Sequence, residues 1–325
     1  MRKIKWGIIG LGDIAHSFAE NFSVENAELV AVGSRNLQKA QDFAEKHAIP
    51  KAYGSYEGCF YDPDIDVIYI ATPNSFHYEH ILAALKQKKH VFSEKAMMVN
   101  YSEFTEAINC AKENNVLLAE AMTIYHMPLY QLLKKKIQQN DFGKLKMVHA
   151  LFGSYKPADE NNRFFNPDLG GGALLDIGVY ALSFIRYFMS SNPDILSTTV
   201  DLYPTGVDEQ SSTLLKNKEN EVGTLSLSFR AKMPKQGVIV CEDAYITITD
   251  YPRADKATIT YSNGKSETIT AGDTKEAMKY EIQAFTDAVA NDSSGPYMDL
   301  TEDVTKIMDT LSREWDMNLS KHKPF

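Results

Sequence analysis

A short apolar run, Ile4–Ile9, leads straight into Gly10-Leu11-Gly12-Asp13-Ile14-Ala15, and an amphipathic stretch, Asp13–Phe22, follows. Strand, glycine turn and helix in this order narrow the fold more than any other feature, because G-x-G-x-x-G/A in that setting opens a dinucleotide-binding βαβ unit. Gly10 permits the tight turn, Gly12 lets backbone N–H groups approach a pyrophosphate, and Ala15 allows the helix to pack closely on the strand. The helix start at Asp13 and Ile14 adds partial positive charge. Gly10, Gly12, Asp13 and Ile14 are therefore candidate pyrophosphate contacts.

The alternation continues. Leu29–Ser34, Val67–Ala71, His90–Ser93 and Val116–Ala119 read as buried strands, separated by the helical patterns Leu37–His47, Ser75–Lys88 and Tyr101–Asn114. Such β-α-β succession implies a doubly wound parallel sheet of Rossmann type. Past residue 140 the rhythm changes. Lys144–Ser154, Ile195–Tyr203, Gln210–Asn217, Val222–Arg230, Gln236–Cys241, Tyr245–Thr249, Ala257–Tyr261 and Ser266–Thr270 are strand-like segments. Helical patterns accompany them at Gly172–Phe188, Thr274–Ala290 and Thr301–Trp315. The fold class expected is α/β, with a Rossmann domain over 1–122 and an α+β domain over 123–325 built on a large, mostly antiparallel sheet. The first would bind NAD(P), the second substrate and a further copy of the chain.

Composition excludes several roles. The 325 residues suit about two domains. With 34 basic and 43 acidic residues the net charge is −9, so nucleic acid and anionic membrane are poor partners. The longest uncharged stretch, Ala121–Leu133, has thirteen residues, short of the roughly 20 apolar residues that a membrane span needs. Trp6–Gly12 meets Asp13 too soon to form a secretory h-region, which points to the cytoplasm. Cys59, Cys110 and Cys241 give neither a disulfide framework nor a metal pair. His77 and His80 share a helix face without a matching ligand set, so no metal is expected.

The second strand of such a sheet usually ends in an acid that bonds the ribose hydroxyls of NAD. Here its tip is Gly33-Ser34-Arg35-Asn36. Arg35 can pair with a 2′-phosphate, and Lys39 lies one helical turn on. NADP is the expected cofactor, with NAD as the alternative if Arg35 only covers adenine. Two further strands end in Ala71-Thr72-Pro73-Asn74 and in Ser93-Glu94-Lys95. Both tips belong at the carboxyl edge of the sheet, where ligands bind, and Lys95 there becomes a candidate substrate-facing ammonium.

Together, Gly10–Ala15, Ala71-Thr72-Pro73-Asn74 with His77, Glu94-Lys95, Glu120-Ala121 with Pro128, and Leu169-Gly170-Gly171-Gly172-Ala173-Leu174-Leu175-Asp176-Ile177-Gly178-Val179-Tyr180 resemble the Gfo/Idh/MocA oxidoreductase family. Tyr180, where many members carry histidine, resembles the dihydrodiol dehydrogenase and glucose-fructose oxidoreductase subgroup. The resemblance implies hydride transfer between a nicotinamide and a carbinol or carbonyl carbon of a sugar, inositol or related diol. It also implies a homodimer or homotetramer, and Thr72, Pro73, Asn74, His77, Glu94 and Lys95 beside the cofactor.

Such chemistry needs a proton donor or acceptor and a cation at the reacting oxygen. Lys95 and Tyr180 are the candidates, with either as acid/base. Asp176, four residues before Tyr180 on a helical pattern, would orient Lys95 or substrate hydroxyls. An ammonium near Tyr180 would lower its pKa. Arg163 binds substrate oxygens or ties down its own loop. The family's usual Glu-Lys-Pro, whose last bond is commonly cis, stands here as Glu94-Lys95-Ala96. Ala96 is thus either trans, with Lys95 aimed differently, or cis. Tyr125 occupies the place of a common arginine, which makes it a candidate substrate contact. Two alternatives share the fold: a non-catalytic NADP sensor, and a redox-assisted glycoside-cleaving enzyme.

Overall fold

The computed structural model describes residues 2–317. Among these, six parallel strands form one sheet: β1 (Ile4–Ile9), β2 (Ala27–Gly33), β3 (Lys51–Tyr53), β4 (Val67–Ile70), β5 (His90–Glu94) and β6 (Leu118–Ala121). Their order is β3-β2-β1-β4-β5-β6. The order reverses between β1 and β4, and in such sheets ligands bind at that reversal, outside the carboxyl ends of the strands. All of β4 is buried, which explains its unbroken apolar run: helices cover both faces.

The expected division at 122/123 needs a correction further along. One compact unit runs to Met122 but also contains Met278–Met298, while the other holds Thr123–Ala277 and the described residues from Asp299 on. The segment 123–325 is therefore not one continuous domain. Helix Ala277–Ala290 sends Met278, Ile282 and Phe285 into the core of the first unit. There Phe285 stacks on Phe92 at 5.1 Å and meets the Trp6 ring edge-on at 5.8 Å. Three large aromatic rings sharing one contact bury enough apolar area to decide where that helix belongs.

The second unit contains a sheet of β7 (Leu145–Gly153), β8 (Asp194–Leu202), β9 (Asp208–Lys216), β10 (Val222–Ser228), β11 (Gln236–Cys241), β12 (Ala244–Thr249), β13 (Lys256–Tyr261) and β14 (Ser266–Thr270). The order is β14-β13-β12-β11-β7-β10-β9-β8. Neighbours are antiparallel except β7 and β10, which run parallel. Helix Val179–Phe188 lies on one face; a Cβ on Gly237 of β11 would collide with the Phe184 ring. The stretch 167–188 has the length and hydropathy of a membrane span, yet 72% of that window is buried in the protein. Its apolar character is what packing against the sheet requires.

Strand ends differ from the sequence expectation by at most two residues. Elements that fall outside it include β3 and the helices Tyr56–Tyr61, Thr123–His126 and Pro128–Gln138. The expected helix Gly172–Phe188 begins instead as a π-helical turn, Leu174–Gly178, which continues into the α-helix Val179–Phe188. Such widened turns occur frequently at functional sites.

Candidate active site

Gly10 ends β1 with φ +83°, a conformation that side-chain-bearing residues avoid. A Cβ there would lie 2.6 Å from the backbone nitrogen of Thr72, so the turns after β1 and β4 meet backbone to backbone. Gly12 caps helix Asp13–Glu20 without a side-chain bond, and a Cβ on it would meet nothing within 4 Å. The first N–H groups of a helix have no intrahelical partners and favour an anion. An open cradle over such N–H groups fits the pyrophosphate of a dinucleotide. Asp13 is exposed at this start, Ile14 half-buried, and Ala15 wholly buried against the sheet.

At the end of β2, the Ser34 N–H donates to Tyr53 O at 3.1 Å, and its hydroxyl accepts from the Asn36 N–H at 3.2 Å. Asn36 caps the next helix by accepting from the Lys39 N–H at 3.1 Å. This leaves the side chains of Arg35 and Lys39 exposed at the tip. His80, on helix His77–Lys86, reaches the same neighbourhood. Its Nδ1 lies 3.0 Å from Thr72 Oγ1 and its ring meets Tyr56 edge-on at 4.9 Å. Burial, and then the charges of His77 and Arg35, push its pKa down to about 4. The imidazole is neutral at neutral pH.

His77 is fully buried, its ring held between two backbone carbonyls: Nε2 is 2.7 Å from Thr72 O and Nδ1 3.0 Å from Ala96 O. Enclosed on all sides by the protein, His77 does not present its ring to a cofactor. Burial holds its pKa below the usual value. Pro73 is exposed and Asn74 half-buried in the same turn. The Lys95–Ala96 peptide bond is cis. Glu120, buried at the end of β6, accepts the Met97 N–H at 2.9 Å. His77 and Glu120 thus grip the two residues after Lys95 from either side. Glu94 accepts from the Tyr69 hydroxyl and from the Lys95 N–H at 3.3 Å, so this carboxylate is a brace for the strand end.

In the second unit the last glycine of the triplet is explained by one carboxyl, and the middle one by the Asn166 and Phe164 backbone, which a Cβ on Gly171 would meet within 2.9 Å. Asp208, the first residue of β9, is fully buried and accepts the Leu174 N–H at 2.8 Å. Gly172 has φ +114°, and a Cβ on it would collide with Asp208 Oδ1. Burial raises the Asp208 pKa to about 7, against the N–H groups that lower it. Asp208 thereby seats the π-turn that carries Asp176. Asp176 and Tyr180 are both half-buried, and Arg163 lies 3.9 Å from Asp176 across an exposed ion pair. Tyr180 packs its ring 6.3 Å from that of Phe152.

Tyr125 is a correction. It is only 1% exposed and its hydroxyl donates to Ser183 Oγ at 3.0 Å, with the ring stacked on Tyr187. The short helix Thr123–His126 turns it into the core, so it does not reach a substrate. Asp208 has no signal in the sequence; Glu120 stands there only as part of the Glu120-Ala121 motif and His80 only as a helix-face neighbour of His77. No group of three or more potential metal ligands occurs among the described residues.

Comparison with known proteins agrees with this layout. Residues 4–122 match the description of an oxidoreductase family with an NAD-binding Rossmann fold, and residues 130–247 that of the GFO/IDH/MocA C-terminal domain. Trans-1,2-dihydrobenzene-1,2-diol dehydrogenase of Xenopus laevis is 35% identical over 280 residues, covering 85% of this chain and 84% of that one. The Danio rerio protein of the same name is 34% identical over 75% of this chain and 74% of its own. Among solved structures, KijD10, a 3-ketoreductase from Actinomadura kijaniata with NADP and TDP-benzene, superposes with a TM-score of 0.84 at 22% identity, covering 95% of this chain and 97% of that one. Levoglucosan dehydrogenase with NADH and levoglucosan gives 0.86 at 21%, over 97% and 98%. Both halves thus match, and the chain belongs to the Gfo/Idh/MocA oxidoreductase family.

Proposed function

We propose that this protein is an NADP-preferring dehydrogenase or reductase that acts on a CH–OH group of a sugar, inositol or related diol. One observation carries the reading: an unbroken line of contacts from Gly10 through Thr72 and His77 to Ala96. It ties the open cradle for an anion to the peptide that carries Lys95. The curated relatives, named as dehydrogenases of a diol, support the substrate class.

A bound nicotinamide would supply the hydride acceptor or donor. Gly10, Gly12, Asp13 and Ile14 would hold its pyrophosphate by backbone N–H groups, and Arg35 with Lys39 a 2′-phosphate. Lys95 and Tyr180 would share the proton at the reacting oxygen, the ammonium stabilising negative charge there. Asp176 would orient the ammonium or neighbouring hydroxyls. Assembly into a homodimer or homotetramer is part of the proposal: Met147, Val240 and Tyr245 stand in register on β7, β11 and β12, with Met147 and Tyr245 exposed.

A screen of polyols and sugars, followed by absorbance of the reduced cofactor, tests the reading with Lys95→Ala and Tyr180→Phe as controls. Turnover that either substitution lowers by about 100-fold or more is expected. Cofactor binding without turnover of any hydroxyl or carbonyl compound overturns it in favour of a sensor, and release of an aglycone without net reduction in favour of a glycosidase. Titration of NADP and NAD tests the preference, which fails if NAD binds more tightly and Arg35→Ala changes neither.

A further inference from the structure

Around Asp176 and Tyr180, within the second unit, positive charge gathers in a way that a neutral sugar does not require. Lys156 Nζ lies 3.9 Å from the centre of the Phe164 ring, and the Arg163 guanidinium 4.1 Å from the same ring. Lys235 Nζ lies 5.0 Å from the Phe152 ring, which also packs against Tyr180. Among the described residues, neither Lys156 nor Lys235 has a carboxylate within ion-pair distance, whereas Glu209 is taken by Arg230 at 3.2 Å. Asp176 lies 3.9 Å from Arg163, and its charge acts on Lys156 as well.

Lys156 is not a loose surface lysine. Its N–H donates to Phe229 O at 2.7 Å, and its carbonyl accepts from Arg230 Nη1 at 3.1 Å. The side chain leaves this anchored backbone between Phe164 and Phe229, with Nζ 6.0 Å from the second ring. Burial lowers its pKa, and the charges of Arg163 and Lys235 add to that effect while Asp176 opposes it. Holding like charges together on aromatic walls costs free energy unless an anion arrives, and among the charges that act on Lys156 the one acid is Asp176.

We propose that the substrate carries an anionic group, a carboxylate or a phosphate, seated by Lys156, Arg163 and Lys235 beside the carbinol that faces Asp176 and Tyr180. The inference rests on the reading of Asp176 and Tyr180 as the substrate face. Arg163 suits a planar two-oxygen contact, and the two lysines act as point charges. The substrate class becomes a sugar acid or a sugar phosphate.

The test compares glucose and inositol with gluconate, glucuronate and glucose 6-phosphate on the cofactor-loaded protein. The ratio of kcat/KM for anionic over neutral compound should be about tenfold or more at low salt, and fall as salt screens the site. Lys156→Met and Lys235→Gln should each cut that ratio by about fivefold, the scale of a partly exposed charge pair, while Lys156→Arg keeps it. Preference for carboxylate or for phosphate identifies the source of the anion. Equal ratios for all compounds, or a ratio untouched by both substitutions, overturn the proposal. Calorimetric binding of the same anions separates this from the oxidoreductase reading. Binding that Lys156→Met weakens upholds the anion seat even if nothing is oxidised; absence of binding overturns it. Should Lys156→Met fail to fold, the exposed Lys235→Gln carries the same readout.

Discussion

Asp208 binds its proton more tightly in the folded chain than in the unfolded one, and that difference can be weighed. Burial lifts its pKa from 3.8 to about 7. The native state therefore keeps the proton through a range in which the unfolded chain has already lost it. Stability falls as pH rises through that window, with no penalty below the unfolded pKa and the full penalty above the folded one. At about 1.4 kcal/mol per tenfold change in proton affinity, the whole rise is worth about 4 kcal/mol. Asp208→Asn abolishes the titration yet keeps an oxygen to accept the Leu174 N–H. Any fixed cost from placing an amide where Oδ1 has no partner is the same at every pH. Urea unfolding of both proteins should show their difference moving toward the variant by about 2.5 kcal/mol between about pH 5 and about pH 8. A difference constant to within about 0.5 kcal/mol across that range would refute the reasoning.

Two further outcomes follow from the geometry. Gly10→Ala should cost about 2–4 kcal/mol of stability, from a positive φ and a Cβ pressed on the Thr72 backbone, and should weaken cofactor binding by more than about tenfold; urea unfolding and a fluorescence titration measure the two. Tyr125→Phe should lose about 1–2 kcal/mol, because the Ser183 hydroxyl is left buried without that bond, while kcat stays within about twofold; a fall of kcat beyond tenfold would restore Tyr125 to the substrate site.

Much of this was legible in the sequence because it rests on short-range rules. Buried parallel strands are apolar runs and Gly10 sits where its turn demands it, so β1, β4, β5 and the cradle could be placed from residues alone. The three residues of β3, all half-buried, are too few to show a pattern. The amphipathic pattern of 277–290 says that one face is buried, but not against which sheet. Asp208 reads as an ordinary acid, since only tertiary burial distinguishes it. Lys156 and Lys235 lie far apart in sequence and meet through the antiparallel pairing of β7 with β11. Tyr125 was misassigned because its position was matched to an arginine of relatives, and a matched position does not fix where a side chain turns.

The return of Phe285 and Ile282 to the first unit sets a timetable for biosynthesis. At about 5–20 residues per second, the interval between making Met122 and making Phe285 is on the order of ten seconds. During that time the nascent cofactor-binding half has its sheet and glycine turn but lacks the helix that covers Trp6 and Phe92. Those rings stay open to solvent and to chaperones while most of the second unit is already being made. A release of the chain before residue 277 would leave the first unit without its last core helix, so the half that begins the polypeptide is among the last to be finished.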